Sequence, residues 1–118
     1  MDSFLSAYIE TALWSSSTDD GEPLDDTHGN EDLAPETLAK MAADCARFES
    51  AIESIELGDH DPGSEYVAHD FWLTRNGHGA GFWDGDYPEP QATLLTDIAK
   101  GFGEVTLYVG DDGKIYQT

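Results

Sequence analysis

The sequence contains few basic residues. Five Lys and Arg stand against 25 Asp and Glu, which gives a formal net charge of -20. Binding to DNA, RNA or an anionic membrane begins with Lys and Arg side chains that neutralise phosphate groups. The composition therefore argues against direct contact with nucleic acid or with a membrane surface.

Cysteine and long apolar runs are also scarce. Cys45 is the one cysteine of the chain, so no disulfide can form within it, as is typical of a reducing compartment. No apolar stretch approaches the roughly 20 residues that a membrane-spanning helix needs. The first residues, MDSFLSAYIETALW, carry no basic leader of the kind that directs secretion. We expect a soluble, cytoplasmic protein.

What remains is the composition of a small acidic globular protein. The 118 residues, 39% hydrophobic and 11% aromatic, predict a single domain over 1–118 with a modest core. A charge of this size steers a protein toward basic surfaces, including surfaces that normally hold nucleic acid. An equally simple interpretation is that the acidity serves only solubility or adaptation to salt.

Apolar spacing predicts three helices. Asp2 or Ser3 can cap the first helix, and one of its faces carries Phe4, Leu5, Tyr8, Ile9, Ala12 and Leu13. Pro35 suits the first turn of the second helix, and Gly58 suits its end. The apolar seam of this second helix is Leu38, Met41, Cys45, Phe48, Ile52 and Ile55. The third helix is marked by Leu94, Leu95, Ile98, Ala99 and Phe102. Cys45 lies on a seam, which predicts a buried structural thiol rather than a nucleophile.

A polar segment, about 15–33, separates the first two helices and contains seven acidic residues and no Lys or Arg. Its turn-forming residues predict a solvated loop. Further carboxylates lie on the outer face of the second helix and in two connecting segments. Together these form the candidate partner-binding acidic surface, which comprises Asp19, Asp20, Glu22, Asp25, Asp26, Glu49, Glu53, Glu56, Asp59, Asp61, Asp84 and Asp86.

Residues 69–84, HDFWLTRNGHGAGFWD, predict a β-hairpin. Asn76-Gly77 between two β-rich runs favours a type I′ turn, because both residues tolerate positive φ. The resulting register places Arg75 opposite His78 and His69 opposite Asp84. The glycines of the second run then leave room for tryptophan rings over bare backbone.

The same stretch carries residue types that occur in metal and catalytic sites: His69, Asp70, His78 and Asp84. The predicted register places the two histidines at opposite ends of the ribbon, which argues against a shared metal ion. A His–Asp pair without an adjacent nucleophile does not define an enzyme. We therefore expect no cofactor, no metal and no catalytic activity. Protein contact is the alternative role, through Trp72, Arg75, Asn76, His78 and Trp83.

The C-terminal run EVTLYVGDDGKIYQT predicts a second hairpin around Asp-Asp-Gly. The predicted fold is α+β, with a small antiparallel sheet of two hairpins and two or three helices on one face. The predicted order is α-α-ββ-α-ββ.

Three motifs of this chain resemble small acidic proteins of bacteriophages and prophages whose function is uncharacterised. They are LAPETLAKMAADC (33–45), DFWLTRNGHGAGFWD (70–84) and LYVGDDGKIY (107–116), so the resemblance covers roughly 33–118. The chain departs from that pattern after Asp84, where acidic DGDYPEPQ replaces a basic residue and a short glycine-rich turn.

The resemblance implies a phage protein acting in the host cytoplasm. Small acidic phage proteins often imitate DNA and occupy the DNA-binding surface of a restriction enzyme, a CRISPR effector or a repair nuclease. Carboxylates spaced like phosphates would recruit the Lys and Arg of such a partner. The leading hypothesis is thus an inhibitor or modulator of a host DNA- or RNA-binding protein. One alternative is a structural or accessory phage protein that oligomerises, for example as a dimer, through its aromatic hairpin. Another is a small enzyme that uses the His/Asp cluster.

Overall fold

The computed structural model of the chain describes residues 2–18, 21–55, 64–77, 81–82 and 87–118. Within them four α-helices precede one antiparallel pair of strands: α1 Ser3–Ser15, α2 Pro35–Ile52, α3 Glu65–Arg75, α4 Gln91–Gly101, β1 Leu107–Val109 and β2 Ile115–Gln117. The α+β class is confirmed. The described residues contain one hairpin, not the two that were predicted.

Helix α1 follows its predicted amphipathic pattern. The Asp2 carboxylate accepts a hydrogen bond of 2.8 Å from the Leu5 N–H and caps the helix. All six predicted apolar positions of α1 are buried, and Tyr8 and Ala12 are completely inaccessible. The opposite face presents Glu10 and Trp14 to solvent.

Helix α2 begins at Pro35 as predicted, because a residue without an N–H loses nothing in the first turn. Its seam residues Met41, Cys45, Phe48 and Ile52 are buried, which confirms the predicted burial of the thiol, whereas Leu38 and Ile55 are only partly buried. The helix ends at Ile52, and Gly58, its expected end, lies outside the described residues.

Helix α3 replaces the first predicted hairpin, so the prediction of a strand before Asn76-Gly77 is wrong. Ser64 caps the helix by accepting from the Val67 N–H. Gly77 has φ +70° and ends the helix in the left-handed conformation. Gly77 therefore adopts the positive φ that was predicted, but it does so at the end of a helix and not in a hairpin turn. The cross-strand pairings predicted for 69–84 do not form within the described part of that segment.

Helix α3 packs on α1 and is buried on nearly all sides. Phe71 stacks on Phe48 of α2 with ring centroids 4.0 Å apart, and Trp72 meets Tyr8 edge-on at 5.4 Å. The Trp72 indole N–H donates to Ser15 Oγ at 2.7 Å. These rings form the centre of the core.

The guanidinium of Arg75 is enclosed between α1, α2 and the end of α4. Its Nη1 donates to the Asp44 carboxylate at 2.8 Å and to the Tyr8 hydroxyl at 3.0 Å. Nε and Nη2 donate to the carbonyls of Gly103 and Phe102. Burial raises the pKa of Tyr8, which keeps the phenol neutral as an acceptor beside the cation. Arg75 is a structural cross-link.

The C-terminal hairpin is confirmed. Its strands pair in the register Leu107 to Gln117 around a turn in which Gly113 has φ +80°. The Ile115 carbonyl accepts from the Ala34 N–H and from the Thr37 hydroxyl, which ties the hairpin to the start of α2. The third predicted helix is also confirmed as α4, although Leu94 is 46% exposed rather than buried.

Candidate acidic binding surface

The acidic segment between α1 and α2 is folded where the structure describes it. Two short 3-10 turns, Leu24–Asp26 and Asn30–Asp32, interrupt it. Leu24 is fully buried, and its N–H donates to the Ser16 carbonyl at 2.9 Å. The Asp32 carboxylate accepts from the Gly29 N–H at 2.8 Å. Anchored in this way, the segment holds Asp25 at a defined position beside α1.

A groove with a volume of about 470 Å³ lies between the outer face of α1 and this segment. Its apolar part consists of Ile9, Leu13 and Trp14, and its carboxylates are Glu10 from α1 and Asp25 from the loop. The groove also reaches Ser6, His28, Gly29 and Asn30. It therefore combines an apolar base with negative charge on both walls.

Trp14 is the most conspicuous side chain of the groove because it is 47% exposed. Its indole stacks on the His69 ring of α3, with centroids 5.6 Å apart and planes inclined by 29°. The Thr11 hydroxyl donates to the Ala7 carbonyl and has an oxygen lone pair left for the Nδ1–H of His69, at 3.2 Å. This contact orients the imidazole, which in turn supports the indole.

Few carboxylates lie in ion pairs within the described ranges. The two ion pairs formed among the described residues both use Asp44, with Arg75 at 2.8 Å and Arg47 at 3.6 Å. Two of the five cations are thus committed to one carboxylate. Glu10, Glu22 and Asp25 are exposed, and none of them takes part in those pairs. The field around the groove is negative.

The structure describes five of the twelve predicted acidic-surface residues. Glu22, Asp25, Asp26 and Glu53 are exposed, and Glu49 is half-buried. Burial, with a smaller contribution from Asp2, raises the pKa of Glu49. The other seven lie outside the described residues: Asp19, Asp20, Glu56, Asp59, Asp61, Asp84 and Asp86.

The predicted protein contacts of the 69–84 stretch are placed differently from expectation. Trp72 and Arg75 are 2% and 3% exposed, so neither is accessible to a partner of the folded chain. Asn76 donates to the Trp72 carbonyl and accepts from the Val105 N–H, which stabilises the end of α3. His78 and Trp83 lie outside the described residues.

The His/Asp cluster does not converge where it can be examined. Neighbouring residues of a helix point in different directions: His69 faces Thr11 and Trp14, whereas Asp70 accepts a hydrogen bond of 2.8 Å from Tyr87. The other two members, His78 and Asp84, are not among the described residues. Within the described ranges no three His, Cys, Asp or Glu side chains are grouped as metal ligands.

Sequence reasoning missed Glu10, Trp14 and His28. A usable signal was present on α1: Ser6, Glu10 and Trp14 follow one another at intervals of four on the face opposite the apolar one. A tryptophan on the polar face of a helix is a candidate contact residue, because tryptophan is enriched among the residues that dominate protein interfaces.

Comparison of the chain with protein-family models, with curated proteins and with solved structures gave no match. In the part of the chain that the structure covers, no helix is both long enough and apolar enough to traverse a bilayer.

Proposed function

We propose that this chain is an inhibitor or modulator that binds the basic surface of a nucleic-acid-handling protein through its acidic face. The observation that carries the proposal is the set of exposed, unpaired carboxylates held by the folded loop beside α1. The phage context, and with it a target among restriction, CRISPR or repair proteins of the host cytoplasm, rests on the sequence resemblance.

Physical chemistry supports association with a basic partner. Exposed carboxylates without an internal cation partner attract Lys and Arg of another protein over about one Debye length, roughly 8–10 Å at moderate salt. Such a partner approaches faster than a neutral one. A loop anchored by Leu24 presents Glu22, Asp25 and Asp26 without a further ordering step.

The oligomerisation hypothesis relied on an exposed aromatic hairpin. Of the aromatic residues in that stretch, Phe71, Trp72 and Phe82 are buried, and Trp83 lies outside the described residues. The enzyme hypothesis relied on convergence of His69, Asp70, His78 and Asp84. His69 and Asp70 face different neighbours, and the other two lie outside the described residues. Support for the acidic-surface hypothesis comes from the five of its twelve candidate residues that are described, of which Glu22, Asp25, Asp26 and Glu53 are exposed.

The test begins with capture of partners from a host lysate on the immobilised chain, followed by a DNA challenge. A true target should be displaced by a DNA duplex and should lose affinity steeply as salt rises. A captured protein that retains its affinity at high salt, or that binds DNA and the chain together, would contradict the proposal.

A charge-matched pair of variants then locates the contact. Neutralising the loop with Glu22→Gln, Asp25→Asn and Asp26→Asn should weaken binding about 3-fold or more, since each exposed ion pair contributes roughly 0.2–1 kcal/mol. The control removes three exposed charges elsewhere, with Asp97→Asn, Glu104→Gln and Asp111→Asn. Equal losses for both variants would show that net charge matters and the loop does not.

A further inference from the structure

The groove between α1 and the acidic loop differs from the rest of the acidic surface because it contains an exposed indole. Trp14 is 47% exposed although its neighbours Leu13 and Ile9 are 4% and 1% exposed. The exposed indole and the acidic residues Glu10 and Asp25 thus line the same groove.

These features suit a cation that also has a flat apolar face. An indole attracts a cation placed over its ring, and Trp is the best of the aromatic residues at this. A guanidinium can stack on the ring and still direct its five N–H donors toward carboxylates at its edge. An ammonium concentrates its charge on one strongly hydrated group and cannot stack.

We propose that this groove binds one arginine side chain of the partner, with the guanidinium stacked on Trp14 and donating to Glu10 and Asp25. The biological role of this contact rests on the proposed function. Arginine and tryptophan are the residues that most often dominate the energy of protein interfaces. The groove is thus the specific contact within an otherwise diffuse electrostatic surface.

The dimensions and the rigidity of the groove agree with this occupant. A volume of about 470 Å³ lies within the usual range for ligand sites, roughly 300–1,000 Å³, and it admits a side chain together with adjacent backbone. Contacts outside the groove hold both walls: Trp14 stacks on His69, and Asp32 accepts from the Gly29 N–H. A site that is already formed needs little reorganisation on binding.

The test uses end-blocked tripeptides as probes: Gly-Arg-Gly, Gly-Lys-Gly and Gly-citrulline-Gly, each titrated into the full ¹⁵N-labelled chain. The arginine probe should shift the Trp14 indole N–H resonance, which is assigned by its disappearance in Trp14→Phe, together with the amides of Asp25 and Asn30. Lysine should bind more weakly, and citrulline, which has the shape of arginine without its charge, should bind least.

Variants identify the interactions. Trp14→Leu keeps an apolar side chain but lacks the ring, and it should weaken the arginine probe about 2- to 5-fold. Glu10→Gln and Asp25→Asn should each weaken it by a similar factor. Tyr108→Leu is the control, because Tyr108 is exposed to the same degree, 49%, on the C-terminal hairpin, and it should change nothing.

The arginine assignment and the proposed function can fail independently of each other. Equal binding of arginine and citrulline, tighter binding of lysine, or shifts confined to residues outside the groove would each overturn the arginine assignment. If the loop neutralisations still weaken a DNA-displaceable partner in that case, the proposed function stands without the groove. If the arginine probe binds as expected and no captured protein is displaced by DNA, the proposed function fails and the site remains.

Discussion

Removal of the guanidinium of Arg75 is the most decisive test of the fold. Arg75→Met keeps the aliphatic stem but leaves four acceptors without their donor: the Asp44 carboxylate, the Tyr8 hydroxyl and the carbonyls of Phe102 and Gly103. Removing one partner of a buried ion pair destabilises a protein by about 3–5 kcal/mol.

The lower end of that range applies here. The Asp44 side chain is 18% exposed, and Arg47 lies 3.6 Å from its other oxygen, so the orphaned carboxylate keeps some compensation. We expect a loss of about 3 kcal/mol, against a typical total stability of about 5–15 kcal/mol. Arg75→Lys can replace only some of the donors and should lose about 1–2 kcal/mol.

Urea denaturation followed by far-UV circular dichroism measures both effects as a lower midpoint with an unchanged slope. Arg47→Met is the control: its side chain is 71% exposed, so it should cost less than about 1 kcal/mol even though it contacts the same carboxylate. A loss below 1 kcal/mol for Arg75→Met, or equal losses for Arg75→Met and Arg47→Met, would refute the reasoning.

Three further predictions concern titrating and reactive groups. Burial, and to a smaller extent Asp2, raises the pKa of Glu49. The folded state therefore binds the Glu49 proton more tightly than the unfolded state, so this contribution to stability is present below the usual glutamate pKa and is lost as pH rises through the raised one. Glu49→Gln should flatten that loss in urea titrations at several pH values. The hydrogen bond of 2.6 Å to Asp112 raises the pKa of Tyr116 to about 12. In an NMR titration of ¹³C-labelled tyrosine, Asp112→Asn should return this pKa toward about 10. An unchanged pKa would show that the hydrogen bond does not form in solution. Cys45 is 2% exposed, and burial raises the pKa of its thiol. A thiol-specific reagent should therefore modify the native chain far more slowly than the urea-unfolded chain. Equal rates would contradict the burial.

Three helices and the C-terminal hairpin could be predicted because each has an unambiguous local signal. Helices α2 and α4 are amphipathic, so their apolar spacing has a clear period. Helix α1 is an apolar run that begins directly after a capping residue, Asp2. The hairpin has β-rich runs on both sides of a turn in which Gly113 adopts positive φ. In each case the local preference and the tertiary environment agree.

Helix α3 could not be predicted in this way because it is enclosed by its neighbours. A helix that is buried on nearly every side has no polar face and therefore no clear period. Its aromatic residues favour strands when considered alone, and Gly77 serves a helix end as well as it serves a hairpin turn. Packing of Phe71 on Phe48 and of Trp72 on Tyr8 overrides these preferences.

The negative charge of the candidate site could be predicted from the sequence, but the groove could not. The carboxylates of the loop are evident in the composition, and Asp25 was among the predicted residues. The groove exists because Leu24 is buried beside α1 and brings the loop against Glu10 and Trp14. That contact joins segments of the chain by tertiary packing, which no local pattern encodes.

The packing of α1 on α3 has a consequence for folding kinetics. Tyr8 and Arg75, which meet in the core, are 67 residues apart in the sequence, so closing the core requires closing a long loop. That loop contains the acidic segment and α2, whose carboxylates repel one another as the chain contracts. We therefore expect the folding rate of this chain to increase with ionic strength, because added salt screens the repulsion that the transition state must overcome.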